Sequence, residues 1–144
     1  MSDAAIRDAR PAGAEPIAGL LGELGYASEA AQVERRLERI AGDPSSRLFV
    51  ATVNDRVAGL AGFHLLPLVE HDEPGCQLTA LVVGGAYRRT GVGSELVRTV
   101  EREARSRGGR RVVVNTARHR KDAHAFYERL GFEATGLRFI KGVS

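Results

Sequence analysis

Six consecutive residues, Arg88-Arg89-Thr90-Gly91-Val92-Gly93, stand between an apolar, β-rich run (Leu78 to Val83) and an amphipathic helical run (Ser94 to Arg107). A chain with this junction must pass from a strand through a glycine turn into a helix. With no Cβ atom at 91 or 93, an anion can approach the backbone, and successive N–H groups at a helix start can converge on it. The two arginines add mobile positive charge beside the turn. The junction therefore predicts a turn that grips a diphosphate.

At 144 residues the chain is expected to form one domain over residues 1–144, long enough to bury its own core. Its single cysteine, Cys76, cannot form an internal disulfide, and Met1 to Pro11 mixes charge with alanine, which points to a reduced, cytoplasmic protein. No apolar run approaches the roughly 18 to 20 residues a membrane span needs. The net charge is +3, yet all but two of the 21 basic residues are arginine, clustered at 88–89, 105–111 and 118–120. That pattern suits a polyanionic ligand, although solvated helix faces account for most individual arginines.

The chain shows no internal repeat and no Gly/Ser linker. Ala4 to Arg10 reads as a first strand and Pro16 to Leu24 as a helix closed by Gly25. Ser28 is placed to N-cap a second helix carrying Val33, Leu37 and Ile40, stopped by Gly42-Asp43-Pro44. Arg47 to Val53 and Val57 to Leu65 flank Asn54-Asp55, a tight hairpin turn, and Gln77 to Val83 completes an antiparallel meander. The helix after Gly93 ends at Gly108-Gly109. A valine-rich strand (Arg111 to Asn115), a helix (Asp122 to Leu130, ending at Gly131) and one or two strands in Phe132 to Lys141 follow. The order is β-α-α-β-β-β-α-β-α-β, a mixed α+β class.

Two motifs in this order resemble the GNAT superfamily of acyl-CoA-dependent N-acetyltransferases. One is the family's Arg/Gln-x-x-Gly-x-Gly/Ala signature, here Arg88 to Gly93 after Leu81-Val82-Val83. The other is Ala123-His124-Ala125-Phe126-Tyr127-Glu128-Arg129-Leu130-Gly131-Phe132, similar to the family's Ala-x-x-Phe-Tyr-x-x-x-Gly-Phe. The resemblance covers essentially the whole chain. It implies a twisted, mostly antiparallel mixed sheet of six or seven strands flanked by about four helices, with acetyl-CoA as cosubstrate and no metal. It further implies that Leu81, Val82 and Val83 offer backbone groups to the pantetheine arm, and that Arg88, Arg89, Thr90, Gly91, Val92, Gly93 and Ser94 hold the pyrophosphate. The acetyl group would pass to a primary amine by direct attack in a ternary complex.

Tyr127 is the expected general acid. The departing thiolate has a proton affinity near that of a free thiol (pKa about 8.5) and a phenol lies near 10, so full transfer is only mildly uphill. A packed helix tyrosine beside Phe126 and Leu130 is the plainer reading of the same spacing. The amide of Val83 is expected to hold the carbonyl oxygen as it becomes an oxyanion. The incoming amine, with a pKa of about 10.4 if lysine-like, must lose a proton. Many relatives carry a glutamate on the strand before the turn, but this chain reads Gln77-Leu78-Thr79-Ala80-Leu81 there. Glu70, His71, Asp72 and Glu73 in the preceding loop and His64 on the strand before it are the remaining candidates, and Glu73 is the chosen base because it lies closest to the strand.

Gly84-Gly85 occupies the place of the family's frequent Asp-Pro. Arg120 stands where many relatives place an asparagine on the pantetheine arm, and is expected to approach the cofactor's phosphates instead. A Rossmann unit lacks its third glycine, and a P-loop lacks its lysine because Gly93 is followed by Ser94-Glu95. A nucleic-acid module is disfavoured by interleaved acidic residues and the absence of an aromatic RNA motif, and a membrane partner is not expected. A cofactor-binding protein without turnover is the rival reading. The acceptor, small molecule or protein, would meet Pro16 to Ala41 and Glu70 to Gly75, where Glu70, Asp72 and Glu73 favour a cationic amine. A homodimer follows from the resemblance alone.

Overall fold

The computed structural model describes residues 4–115 and 121–143. They divide into two compact units, 1–113 and 114–144.

In the first unit, strand β1 (Ala5–Asp8) leads through a 3-10 turn (Pro11–Gly13) into α1 (Ala14–Leu24) and α2 (Ala30–Ala41). Helix α1 ends at Gly25, whose φ of 104° is the left-handed cap that glycine adopts without a Cβ penalty. Helix α2 is N-capped by Glu29, not by the expected Ser28. The Ser28 hydroxyl donates to Tyr26 O (3.1 Å) and accepts from Arg36 (2.9 Å), so Gln32 Oε1 takes the Glu29 amide instead (2.9 Å).

Strands β2 (Ser46–Val53), β3 (Arg56–Leu66) and β4 (Gly75–Val83) form the expected meander. The β2–β3 turn is Asn54-Asp55, with φ values of 50° and 65°, the two positive angles of a type I′ hairpin. A second 3-10 turn (Gly85–Tyr87) then leads to α3 (Val92–Ser106), which Gly108 ends at φ 84°. Strand β5 is Val112–Val114, and the sheet order is β1-β2-β3-β4-β5.

The period-2 pattern of β3 assigns its faces. Leu60 joins Val50 and Val82 in a cluster with Ile17, Leu20, Val33 and Leu37, so the even positions of β3 face α1 and α2. The odd positions face α3: a Cβ at Gly59 would stand 3.1 Å from Leu96 Cδ1 and 3.4 Å from Val92 Cγ1. In β4 the register shifts opposite Gly62/Phe63. Ala80 pairs with Gly62 and Leu78 with Phe63, which leaves Thr79 as the extra residue of a bulge.

Charge ties the strands to α3 at one edge. Arg47 bonds Asp8 (2.7 Å) and Glu103 (2.8 Å), and Arg107 bonds Glu103 (2.8 Å) and Pro44 O (2.9 Å). The Glu103 side chain is only 12% exposed, so Glu103→Ala leaves two guanidinium groups without their shared anion. The expected cost is about 1 to 2 kcal/mol, read as a lowered denaturant midpoint with unchanged slope.

In the second unit, α4 (Lys121–Arg129) closes at Gly131, whose φ is 93° and whose amide donates to Glu128 O (3.0 Å). The one or two strands expected in Phe132 to Lys141 are not found. No ladder includes residues 132–143, and Leu137, Phe139 and Ile140 are exposed. Strand preference acts through neighbours on a pleated surface, and composition alone forms no ladder. The described sheet therefore has five strands where six or seven were expected.

Candidate active site

The glycine turn lies in the first unit where the sequence places it. Arg88, Arg89, Thr90 and Gly91 are exposed, while Val92 and Gly93 are buried. Arg89 holds a φ of 64°, unusual for a residue with a side chain, and Gly91 caps α3 at φ 89°. The Thr90 hydroxyl donates to Tyr87 O and fixes the loop from within. The first backbone bond of α3 runs from Glu95 N to Gly91 O (3.0 Å). Among the described residues, the amides of Val92, Gly93 and Ser94 have no backbone acceptor, as expected for the first turn of a helix. Three donors and the positive end of a 15-residue helix form an anion seat beside Arg88 and Arg89.

Strand β4 delivers its backbone to the same place. Gly84 N donates to Ala58 O (2.8 Å), which fixes the phase of the antiparallel ladder. Residues in such a ladder alternate between facing their partner and facing away, so the N–H and C=O of Val83 and Leu81 turn away from β3 while those of Val82 turn toward it. Leu81 and Val83 thus present peptide groups along the outer side of β4, where an extended amide-bearing chain could pair as an added strand does. These amide directions were not legible in the residue types.

Of the candidate bases, Glu73 lies at the opposite end of β4 from the glycine turn. Its carboxylate is 3.7 Å from Arg111 and 3.8 Å from His71 Nδ1, and Arg111 also lies 2.7 Å from His71 Nε2. His64 sits on the α1/α2 face of β3, in register with Ser46 of β2 and Gln77 of β4. Its Nδ1 is 2.9 Å from Ser46 Oγ, which lies 3.2 Å from Asp43 Oδ2. Asp43 Oδ1 accepts the Ser45 amide (2.9 Å), and this backbone bond is the main cause holding the Asp43 carboxyl below its ordinary pKa, aided by Ser46. Asp-Pro-Ser carried a sequence signal for that local turn, but its link to His64 was not visible.

Tyr127, in the second unit, is half-buried, with its ring edge-on to Phe126 and Phe132 at 5.4 Å each. Phe132 N donates to Tyr127 O (3.0 Å), so the helix end and the following phenylalanine hold the tyrosine together. Arg120 lies outside the described residues. Among the described residues no three His, Cys, Asp or Glu side chains are grouped to hold a metal, and no helix is long and apolar enough to cross a membrane.

A meander ending in a helix-capping glycine turn, with outward peptide groups on the strand before it, defines a class of acyl-carrier-binding α+β proteins. The chain belongs to the acetyltransferase (GNAT) family, whose pattern matches residues 16–132. It is 32% identical over 101 residues to an aminoalkylphosphonate N-acetyltransferase of Salmonella typhimurium, covering 70% of this chain and 66% of that one. It is 35% identical over 97 residues to human N-acetyltransferase 8, covering 66% of this chain and 42% of that one. The chain thus spans just under two thirds of the first relative and less than half of the second. Among solved structures, a transcriptional regulator from Bacillus halodurans superposes with a TM-score of 0.89 at 24% identity, over 97% of this chain and 99% of that one. An aminoglycoside N-acetyltransferase in complex with CoA gives 0.86 at 21% identity, over 99% and 96%. These two likenesses establish the fold.

Proposed function

We propose that this protein is an N-acetyltransferase that moves acetyl from acetyl-CoA to a primary amine by direct attack in a ternary complex. The observation that carries the reading is the row of outward amides, Val92, Gly93 and Ser94, following the outward peptide groups of Leu81 and Val83. Family membership supports it, and both relatives are N-acetyltransferases by name. That residues 16–132 span both units supports a single domain, and one buried cysteine suits a reduced cytoplasmic setting. The family resemblance is the support for a homodimer; no nucleic-acid or membrane partner is proposed.

Acetyl-CoA, when bound, supplies the activated thioester. Arg88 to Ser94 hold its diphosphate, Leu81, Val82 and Val83 align the pantetheine arm, the Val83 amide stabilises the oxyanion, and Tyr127 protonates the departing sulfur. Arg120 is assigned to the phosphates. Glu73 is carried forward as the sequence's candidate base. Glu73→Gln tests it: a tenfold or larger fall in kcat with acetyl-CoA binding unchanged supports the role, and a change below about threefold removes it.

The reading as a whole is tested by thiol release from acetyl-CoA against a panel of primary amines, with cofactor affinity measured in parallel. Turnover with any amine supports it. Tight binding without turnover on the panel favours a cofactor-binding protein, and no binding overturns the assignment of residues 88–94.

A further inference from the structure

The geometry points to His64, rather than Glu73, as the group that takes the proton from the acceptor amine, with Ser46 and Asp43 as positioning residues behind it. This rests on the acetyl-transfer reading above and adds the base that reading lacks.

The hydrogen-bond bookkeeping fixes the imidazole. Asp43 is a carboxylate and can only accept, so the single Ser46 hydroxyl proton is committed to Asp43 Oδ2 at 3.2 Å. The 2.9 Å contact between Ser46 Oγ and His64 Nδ1 must then have the imidazole as donor. A neutral His64 therefore carries its hydrogen on Nδ1 and its lone pair on Nε2, which has no hydrogen-bond partner among the described residues. Asp43 is itself anchored by the Ser45 amide, and Ser45 O accepts from Leu65 N (2.7 Å), so the relay is braced at both ends. When Nε2 takes a proton, the imidazolium is stabilised through Ser46 by the Asp43 charge. The same three-group logic orients a histidine base elsewhere, with a hydroxyl interposed here.

The placement suits the role. His64 lies on the sheet face that carries α1 and α2, the side expected to meet the acceptor. Its register partner on β4 is the neutral Gln77, and its partner on β2 is Ser46, so Asp43 is the carboxylate the relay brings to it. Five residues along β3 lies Gly59, the partner of Val83, a separation of roughly 16 Å at about 3.3 Å per residue. An extended pantetheine arm running from the glycine turn back along β4 carries its thioester toward His64 and away from its diphosphate. Glu73, two residues before β4 begins, is farther along and already faces Arg111. In the step, the amine nitrogen bonds to the acetyl carbon, its proton passes to His64 Nε2, the carbon–sulfur bond breaks, and the sulfur takes the Tyr127 proton.

The test uses the full chain and an amine accepted by the wild type. His64→Ala is expected to lower kcat near neutral pH by about a hundredfold with acetyl-CoA affinity unchanged. The deficit should shrink to within about tenfold as pH approaches the amine's own pKa of about 10, where the free base needs no acceptor. Ser46→Ala and Asp43→Asn should give smaller losses of the same pH shape, and Ser46→Thr, which keeps the hydroxyl, should restore activity. If His64→Ala stays within threefold of wild type at neutral pH, or if its deficit is the same at every pH, the base is not His64. Unchanged acetyl-CoA affinity in the variants separates either result from a failure of the acetyl-transfer reading, in which the wild type itself shows no turnover.

Discussion

Tyr127→Phe is expected to lower kcat for acetyl transfer by at least tenfold, and about a hundredfold if proton delivery limits the step, while acetyl-CoA affinity stays within about twofold. The substitution isolates the hydroxyl. The Tyr127 ring packs edge-on against Phe126 and Phe132, and a phenylalanine keeps both contacts. Stability should therefore change little. The measurement is steady-state thiol release beside calorimetric titration of acetyl-CoA into both proteins. A variant within threefold of wild type would assign the tyrosine to packing and leave the thiolate to depart unassisted.

The second large effect is expected far from any reacting atom. A Cβ placed on Gly59 would stand 2.7 Å from Val82 O, 3.1 Å from Leu96 Cδ1 and 3.4 Å from Val92 Cγ1. The first neighbour is backbone and cannot rotate away, and Val92 is the first residue of α3. Gly59→Ala must push α3 off the sheet at the end that carries the diphosphate amides. About 1 to 3 kcal/mol of stability should be lost, a fall in Tm of roughly 3 to 10 °C. Acetyl-CoA affinity should fall with it, by tenfold or more, because the amides of Val92, Gly93 and Ser94 no longer converge. A variant that loses stability yet binds acetyl-CoA normally would show that the seat does not depend on how closely α3 packs.

Much of this architecture was legible in the residues because it is local. The stripe of Val92, Leu96, Val100 and Ala104, the Asn54-Asp55 turn and the glycine caps at 25, 91 and 131 each act within a few residues of chain, and each is found in the structure. What escaped depends on what distant segments offer one another. Ser28 had the right chemistry for a cap but is engaged by Tyr26 and Arg36. Phe132 to Lys141 had strand-forming residues and no ladder to join. The contact of Ser46 with His64 spans 18 residues and exists only because β2 and β3 pair in this register. Glu73 stood out through nearness in sequence, yet nearness along a strand is not nearness to the far end of that strand.

The bulge at Thr79 has a wider consequence. Before it, Gln77 shares the α1/α2 face of the sheet; after it, Ala80 and Val82 do, so the strand changes parity at one residue. Gly62 accommodates this, since a Cβ there would collide with the Thr79 hydroxyl. Strand β4 is in effect two half-strands spliced out of phase. Substitutions upstream of the splice re-specify the surface beside His64 without rotating the peptide groups of Leu81 and Val83. A family could thus exchange its acceptors on one side of the splice while its acyl donor stays fixed on the other.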